Sequence, residues 1–271
     1  MDDNNLKFNK INIMKKLIIF ALIIGSAIVF NSCSMFEIDN YDGPDATLQG
    51  SITDKDGKPL YVESGNGIRI KLMDNGWSDD PEPLYYYVKM DGTYINTKVF
   101  SSTYDIVAEG PFVPLVQTDS SGTITVDETK KNIKVSGTTT VDFQVEPFLK
   151  VEWVGEPTFE NGLMTVQFKV TRGTDDPNWQ LSLYDIGLFV YTTQYVGESY
   201  YDSRISTKLS GSAATALVGN TGTMKTLSTY PMLKDHTYYV RVGARLNYAF
   251  SFGAGYLYNY TNVKKVIVPA Y

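Results

Sequence analysis

Apolar and polar residues alternate with a period of two along most of the chain from Ala46 onward, and this pattern constrains the fold more than any other feature. The alternating segments are rich in β-branched and aromatic residues, and Gly, Asp and Pro residues separate them. No window of a dozen residues shows the spacing of an amphipathic helix. The pattern therefore predicts an all-β chain whose strands pack one face each into sandwiches.

The first half of the alternating region predicts six strands and two well-marked turns. In the turn Asp54–Leu60, Gly57 can take a positive φ and Pro59 presets φ where the chain leaves the turn. Asp91 and Gly92 predict a two-residue hairpin that joins the third strand to the fourth. The predicted strands are Ala46–Thr53, Gly67–Met73, Leu84–Met90, Thr93–Val99, Thr103–Gly110 and Thr139–Pro147.

A short apolar run precedes the one cysteine of the chain. Met14, Lys15 and Lys16 form a positive segment, and the fourteen mostly apolar residues Leu17–Phe30 follow it. As a helix this run would be about 21 Å long, at ~1.5 Å per residue, which is shorter than the roughly 30 Å hydrocarbon core of a membrane. The pattern therefore predicts a secretory signal peptide with an N-terminal extension over residues 1–32.

The tetrapeptide that ends in Cys33 resembles the lipobox of bacterial lipoproteins, whose cysteine is lipidated and becomes the first residue of the mature chain. Ser32 matches the small residue of that motif, although Phe30 stands where Leu is usual. The resemblance implies a lipidated tether over residues 33–45 and a membrane anchor that places the protein at the outer membrane. Acidic residues in this tether resemble the export signals of surface lipoproteins, which favours the cell surface. A buried structural thiol is the alternative for Cys33.

Charge and residue inventory exclude several classes of function. The 271 residues carry 30 acidic and 24 basic side chains, a net charge of −6 without a basic stripe, so we expect no nucleic-acid partner. One cysteine excludes an intrachain disulfide, and the one histidine, His236, has no partner Ser or Cys and no cluster of metal ligands near it in sequence. No carboxylate pair is marked as a glycosidase acid and nucleophile. We therefore expect no catalytic residue, no metal and no cofactor.

The first β region has the motif order of a known module. The segments GSITDKDGKPL, GIRIKL and DGTYINTKVFSSTYDIVAEG are similar to the carboxypeptidase-regulatory or transthyretin-like β-sandwich. The resemblance implies a first domain over residues 46–147. In that family the module is a spacer, a stabiliser or a binding accessory, and no catalytic residue can be carried over from it.

The second β region, residues 148–271, resembles an immunoglobulin-like or fibronectin type III-like β-sandwich. Its segment MLKDHTYYVRVGARL resembles the turn and sixth strand of fibronectin type III domains. In that register Tyr238 is an inward tyrosine whose hydroxyl bonds back to the backbone upstream, and His236 lies in an exposed turn. Three residues of the following strand face inward, namely Val240, Val242 and Ala244. Earlier strands are expected at Lys150–Gly155, Leu163–Arg172 and Asp185–Thr193.

The lipobox, the stretch NYDGPDATLQGSITD and the two β modules together resemble a Bacteroidetes lipoprotein family of unknown function. Members of that family resemble proteins encoded with outer-membrane glycan-uptake systems. The resemblance therefore implies outer-membrane glycan-uptake proteins as partners. It carries no assigned site.

Six aromatic residues near the end of the chain are the main candidates for ligand contact. Phe252 and Tyr256 flank Gly253–Gly255, so a hairpin closed there would pair the ring-bearing residues on either side. Alternation would then place all six rings on one face. Such a row suits stacking on sugar rings or docking of a protein, unless a neighbouring domain or the loop with Tyr195 covers it. The pairs expected across the hairpin are Phe252 with Tyr256, Phe250 with Tyr258, and Tyr248 with Tyr260.

Further aromatic residues in loops are additional ligand candidates. Trp77 lies in an acidic loop that leads to Tyr85, and Trp179 lies in a similar loop, TDDPNWQ. Tyr200 and Tyr201 lie in a third loop, which also carries Tyr195. Packing on their own domain is the alternative for each tryptophan. Asp79, Asp80 and Glu82 lack the spacing of a known calcium loop, so a solvated acidic turn is the favoured interpretation there.

These patterns predict a non-catalytic lipoprotein that binds an oligosaccharide or polysaccharide, or that assists a polysaccharide-uptake complex. The alternative is a structural or adhesion module that binds a protein partner through the same aromatic hairpin. Both hypotheses depend on whether the six rings are exposed.

Overall fold

The computed structural model describes residues 42–253 and 255–270. The predicted signal peptide, Cys33, most of the tether and Ala254 lie outside the described residues. From Pro44 onward the chain forms one compact unit. Among the described residues, no helix is long and apolar enough to cross a membrane.

The first half of the described chain contains ten strands in three sheets. They are β1 (Ala46–Asp54), β2 (Arg69–Asp74), β3 (Leu84–Tyr87), β4 (Thr93–Val99), β5 (Ser102–Glu109), β6 (Val116–Thr118), β7 (Ile124–Asp127), β8 (Lys130–Val135), β9 (Thr138–Thr140) and β10 (Phe143–Val145). In one sheet β1 pairs antiparallel with β4 and parallel with β9 and β10. A second sheet has the order β3-β2-β5-β8, and β6 pairs with β7.

The two larger sheets share one hydrophobic core. Leu48 and Ile52 of β1 are fully buried, as are Ile70 of β2 and Ile106 of β5, and all four belong to the same cluster. Alternate residues of these strands face this core, as the period of two predicts. The turn after β1 also forms as predicted, because Gly57 has φ 77° and the Asp54 carboxylate accepts two backbone N–H bonds within the turn.

The connection at Asp91 and Gly92 differs from the prediction. A turn forms there, with Gly92 at φ 80° and the Lys89 N–H donating to the Thr93 carbonyl over 2.8 Å. However, β3 pairs with β2 and β4 pairs with β1, so the predicted hairpin between the third and fourth strands is wrong. The turn connects the two layers of the sandwich, so that β3 and β4 each contribute to the shared core from opposite sheets. The segment Thr139–Pro147 is likewise divided into β9 and β10.

The second half contains nine strands in two sheets. They are β11 (Leu149–Trp153), β12 (Thr158–Glu160), β13 (Leu163–Arg172), β14 (Leu183–Tyr191), β15 (Thr207–Ser210), β16 (Thr221–Lys225), β17 (Thr237–Leu246), β18 (Asn259–Tyr260) and β19 (Lys264–Ile267). Strand β13 pairs with β11, β12 and β16, whereas β14 and β17 form the centre of the other sheet, with β15, β18 and β19 at its edges. One short helix, α1 (Gly211–Thr215), and a 3₁₀ turn, Pro177–Trp179, complete the described elements.

The inward face of β17 follows the register that the resemblance to fibronectin type III domains implied. Val240, Val242 and Ala244 are fully buried in the core between the two sheets. The Tyr238 hydroxyl accepts the backbone N–H of Leu233 over 3.3 Å, which confirms the predicted bond back to the upstream chain. His236 is exposed beside a turn, also as predicted.

The opposite face of β14 and β17 is buried as well. Arg245 is 7% exposed. Its guanidinium donates two hydrogen bonds to Asp185, from Nε to Oδ1 over 3.0 Å and from Nη2 to Oδ2 over 2.8 Å. Phe189 packs with Tyr258 and Tyr260 in a separate small cluster on this face. Along most of β14 and β17, both faces of the sheet are therefore buried.

Several buried hydrogen bonds connect the two halves of the chain. The Asn259 side chain accepts the Leu149 N–H over 3.1 Å and donates to the Pro111 carbonyl over 3.0 Å. The Tyr260 N–H donates to the Tyr61 carbonyl over 3.1 Å. Asn259 is 3% exposed and uses both atoms of its amide group in these bonds, so it is a structural residue of this junction. Whether residues 46–147 and 148–271 fold independently stays a prediction.

The buried ion pair gives a stability prediction. Replacing Asp185 with Asn leaves the Arg245 charge without its bidentate carboxylate, and we expect a loss of about 3 kcal/mol in the free energy of unfolding. The Glu198 carboxylate lies 3.8 Å from Arg245 Nη2 and still compensates part of its charge. The expected loss is therefore at the lower end of the range for a broken buried ion pair. Urea unfolding of the wild type and of Asp185→Asn measures this loss in the free energy of unfolding. The control is Glu156→Gln in the pair with Lys264, where the Glu156 side chain is 84% exposed. Equal unfolding midpoints for the two variants would contradict the assignment.

Candidate functional site

The six candidate rings do not form the predicted hairpin. Strand β17 ends at Leu246, and Tyr260 of β18 pairs with Gly243 instead of lying opposite Tyr248. Between them, Gly253 and Gly255 take φ values of 63° and 81°, and the Phe250 N–H donates to the Gly255 carbonyl. A tight loop therefore replaces the extended tip, and the predicted register is wrong. The physical reason is that Tyr258 and Tyr260 gain more burial beside Phe189 than an exposed strand would provide.

Five of the predicted ligand residues nevertheless come together from three distant segments. Trp179, Tyr248, Phe250 and Phe252 form a continuous series of ring contacts, and the Arg69 guanidinium links this series to Tyr85. We call these six residues the aromatic stripe. Its ring centroids lie 5.1 Å apart for Trp179 and Tyr248, 4.9 Å for Tyr248 and Phe250, and 5.5 Å for Phe250 and Phe252.

Arg69 lies between the last two rings of the aromatic stripe. Its guanidinium carbon is 3.9 Å from the centroid of Tyr85 and 3.9 Å from that of Phe252. Its Nε also donates to Glu109 Oε2 over 2.6 Å. These contacts hold the Tyr85 and Phe252 rings on either side of one cation, which is favourable for both rings. The strand register explains the arrangement, because Arg69 pairs with Glu109 on the neighbouring strand β5.

A cavity of about 240 Å³ lies beside the aromatic stripe. Three ring-bearing residues, Tyr248, Phe250 and Phe252, line one wall of it, and the end of β5 with Glu109 lines another. The buried Phe148 stacks on Trp179 at 4.9 Å and contacts the Tyr248 ring at 5.8 Å, so it supports the ring series from the core. The cavity thus combines half-buried ring surface with the Glu109 carboxylate, a mixture found in small-molecule sites, and Arg69 is next to it through its hydrogen bond to Glu109.

Three other predicted ligand residues pack on the far side of β14. Tyr258 and Tyr260 are each 3% exposed, and Tyr201 contacts Phe189 at 5.5 Å. Burial raises the pKa of both Tyr258 and Tyr260 far above its usual range. The Glu198 N–H donates to the Tyr260 hydroxyl over 3.1 Å. These rings belong to the core, which agrees with the alternative that the Tyr195–Tyr201 loop covers part of the row.

The remaining candidates lie apart from the aromatic stripe. Tyr256 stacks on Tyr184 at 4.5 Å, and Arg245 lies 4.6 Å from the Tyr184 ring. Tyr200 is 56% exposed and Trp77 is 72% exposed. The prediction missed Arg69 and Glu109. In the sequence, Arg69 stands between Ile68 and Ile70 in an alternating strand, so its side chain is expected to face outward. That position points to Glu109 only when the pairing of this strand with β5 is known.

Among residues 42–253 and 255–270, no group of three or more His, Cys, Asp or Glu side chains could hold a metal ion. His236 is exposed, and its Nδ1 lies 2.9 Å from the Lys234 carbonyl oxygen. The chemistry of the described site is therefore that of ring faces, one ion pair and hydroxyl groups.

Comparison with known proteins gives the family. A family model described as a protein of unknown function (DUF3823), N-terminal domain, matches residues 46–146. The crystal structure of a DUF3823 family protein from Bacteroides uniformis ATCC 8492 is 33% identical, covers 83% of this chain and 100% of that one, and has a TM-score of 0.76. This chain belongs to the DUF3823 family. The predicted Bacteroidetes family of unknown function is confirmed at this level.

Two other structures extend the comparison of this DUF3823 protein. One, from Bacteroides uniformis ATCC 8492, is named as a candidate carbohydrate binding protein; it is 25% identical, covers 83% of this chain and 100% of its own, and has a TM-score of 0.66. Another, a DUF3823 family protein from Parabacteroides merdae ATCC 43184, is 19% identical, with the same coverage and a TM-score of 0.62. The all-β fold is thus shared. No curated protein matches the chain.

Tryptophan fluorescence tests the placement of the candidate rings. Trp77 is 72% exposed, whereas Trp153 and Trp179 are half-buried. We expect Trp77→Phe to remove most of the emission that acrylamide quenches readily, because collisional quenching needs solvent access. The matched Trp153→Phe variant should keep that quenchable fraction. An unchanged quenching constant in Trp77→Phe would show that the loop is not exposed as described.

Proposed function

We propose that this DUF3823 protein binds carbohydrate without catalysis, through the aromatic stripe and the cavity beside it. One observation carries the proposal. Five aromatic residues that the sequence singles out for ligand contact come from three distant segments and join in one stripe, and three of them, Tyr248, Phe250 and Phe252, line the cavity beside it. Such convergence of ring surface with a cation and a carboxylate is typical of a binding site.

The chemistry of the site suits a sugar. Faces of pyranose rings carry C–H groups that pack against aromatic rings, while their hydroxyls need hydrogen-bond partners. Glu109 can accept such bonds, and the guanidinium of Arg69 keeps unused donors beside the carboxylate. A cavity of 240 Å³ is slightly smaller than the roughly 300 to 1,000 Å³ of most ligand sites. One sugar unit would therefore enter it, with the rest of the chain along the aromatic stripe.

The family comparison supports the same class of ligand. The relative named as a candidate carbohydrate binding protein is 25% identical and aligns over its whole length. We further propose that the chain is a lipoprotein anchored through Cys33 at the outer membrane, on the cell surface, where it assists a polysaccharide-uptake complex. This part depends on the lipobox and the short apolar run, which lie outside the described residues.

Variants of the aromatic stripe test the binding proposal. Removing a ring that covers ~55 Å² of sugar surface should cost about 1.4 kcal/mol at ~25 cal/mol/Å², so we expect Phe252→Ala and Tyr85→Ala to weaken glycan affinity roughly tenfold. Calorimetry and affinity electrophoresis with a panel of neutral polysaccharides measure the effect.

The matched control is Tyr230→Ala, which removes a tyrosine that is 53% exposed and lies outside the aromatic stripe. It should leave the affinity unchanged. Unchanged affinity in both stripe variants would overturn this site. If none of the panel binds and the same variants instead abolish capture of a protein partner, the structural or adhesion hypothesis is the correct one.

The anchor is tested separately. Mature wild-type protein should carry a lipid mass at Cys33 and partition with membranes, because several acyl chains hold a protein to a bilayer almost permanently. Cys33→Ala should lose that mass and appear in the aqueous phase of a detergent partition, while Cys33→Ala made without its signal segment serves as the fully aqueous reference. Continued membrane partition of full-length Cys33→Ala would contradict the lipidation.

A further inference from the structure

A second, larger cavity lies where the turn region of the first half meets the loop after β14. Its volume is about 490 Å³, which falls within the usual range for ligand sites of roughly 300 to 1,000 Å³. Tyr61 and Tyr195 supply ring surface, and Gln194 and Asp91 supply polar groups that are exposed to solvent. Arg241 lies in the wall of this cavity although it is only 1% exposed.

The Arg241 guanidinium is incompletely satisfied. Its Nη1 donates to the Val62 carbonyl over 2.8 Å, and its central carbon lies 3.6 Å above the Tyr260 ring. Its Nε and Nη2 have no hydrogen-bond partner within the described part of the chain. These two nitrogens form the side of a guanidinium that holds both oxygens of a carboxylate. A buried polar group left in this state needs an explanation.

The neighbouring carboxylate does not supply that partner. Glu63 accepts the Ser199 N–H and, at its other oxygen, the Tyr260 hydroxyl over 3.2 Å. Among the described residues Arg241 forms no ion pair. Burial lowers the pKa of Arg241, because the surroundings compensate its charge incompletely. Glu63 and the Asp91 carboxylate in the cavity wall lower the positive potential, and the exposed Lys89 at the cavity rim raises it.

We infer that this cavity is a second carbohydrate site, specific for a sugar that bears a carboxylate, such as a hexuronic acid. This inference rests on the proposed function in that the chain binds glycans, but it concerns a different site from the aromatic stripe. Arg241 receives the carboxylate through Nε and Nη2, and Lys89 adds attraction at the entrance. Tyr61 and Tyr195 pack on the sugar ring, while Gln194 and Ser64 bond to its hydroxyls.

The loop Gln194–Tyr200 covers the guanidinium and controls access to it. A Cβ atom at Gly197 would lie 2.5 Å from Arg241 Nη2 and 3.2 Å from Glu63 Oε1, so the backbone at this glycine closes directly over the two groups. Tyr195 and Tyr200 on either side of it are each 56% exposed. Entry of the carboxylate therefore requires this short segment to move outward. The inference predicts that ligand binding changes the surroundings of Tyr195.

Calorimetry with defined ligands tests the inference. The probes are trisaccharides of galacturonic acid and of glucuronic acid, each compared with its fully methyl-esterified form, which keeps the backbone but removes the charge. We expect at least one acid to bind, its ester to bind at least tenfold more weakly, and the affinity of the acid to fall with added salt. Equal binding of acid and ester, or binding of neither acid, overturns the inference.

Variants locate the site. Tyr195→Ala and Lys89→Met change exposed side chains, so the protein should fold, and each should weaken binding of the acid several-fold. Arg241→Met should abolish it, provided that its circular dichroism spectrum matches the wild type. Phe252→Ala in the aromatic stripe should leave binding of the acid intact. Loss of acid binding in Phe252→Ala with retention in Tyr195→Ala and Lys89→Met places the acid on the aromatic stripe and overturns the second site.

The two proposals fail in distinguishable ways. If neutral glycans bind through the aromatic stripe and no uronate binds, the second site is absent and the proposed function stands. If uronates bind in the Arg241 cavity and the neutral panel does not bind, the second site stands and the aromatic stripe loses its assignment.

Discussion

The pairing of β14 with β17 is the contact on which the rest of the structure depends. Eight register pairs join the two strands from Leu183 to Tyr191, and most residues on both faces of the two strands are buried. One face closes the core of the second half, while the other contacts residues of the first half. Burial of two faces means that every polar side chain on the second face needs a partner, since water is excluded there. Arg245 forms an ion pair with Asp185, whereas Arg241 donates one hydrogen bond to the Val62 carbonyl and packs on the Tyr260 ring.

The same burial positions both candidate sites. Asn259 and Tyr260 of β18 carry buried hydrogen bonds from the edge of this sheet into the first half, so the end of β5 and the turn at Lys89 are held beside residues of the second half. The aromatic stripe needs Tyr85 and Phe252 on either side of Arg69, and the larger cavity needs Tyr61 opposite Tyr195. Neither arrangement exists within one half alone. A change that loosens the junction should therefore affect both sites together.

Local pattern predicted much of the fold, because a period of two depends only on each strand and its buried face. Thr93–Val99 was predicted at its observed bounds, and Tyr238 was placed correctly. Strand pairing was harder to predict, since the turn at Gly92 moves the chain between layers instead of closing a hairpin. For the candidate site, the sequence predicted which aromatic residues are candidates for ligand contact, but it did not predict which of them lie together. Tyr248 packs on Phe148 in the aromatic stripe, whereas Tyr260 packs on Phe189 in the core. Both phenylalanines lie far away in sequence, so the local pattern could not separate the two tyrosines.

Three arginines, Arg69, Arg241 and Arg245, differ in how their charges are compensated, and this difference separates a structural role from the ligand-binding roles that we propose. Arg245 holds the Asp185 carboxylate with two hydrogen bonds, so a ligand could gain little from it. Arg69 holds Glu109 with one hydrogen bond and lies between two rings, which leaves donors for hydroxyl groups but no need for another anion. Arg241 lacks a carboxylate within the described chain, and two of its nitrogens lack acceptors. Its stabilisation by a bound carboxylate should therefore exceed that of the other two, and for this reason we propose the larger cavity for acidic ligands and the aromatic stripe for neutral ones.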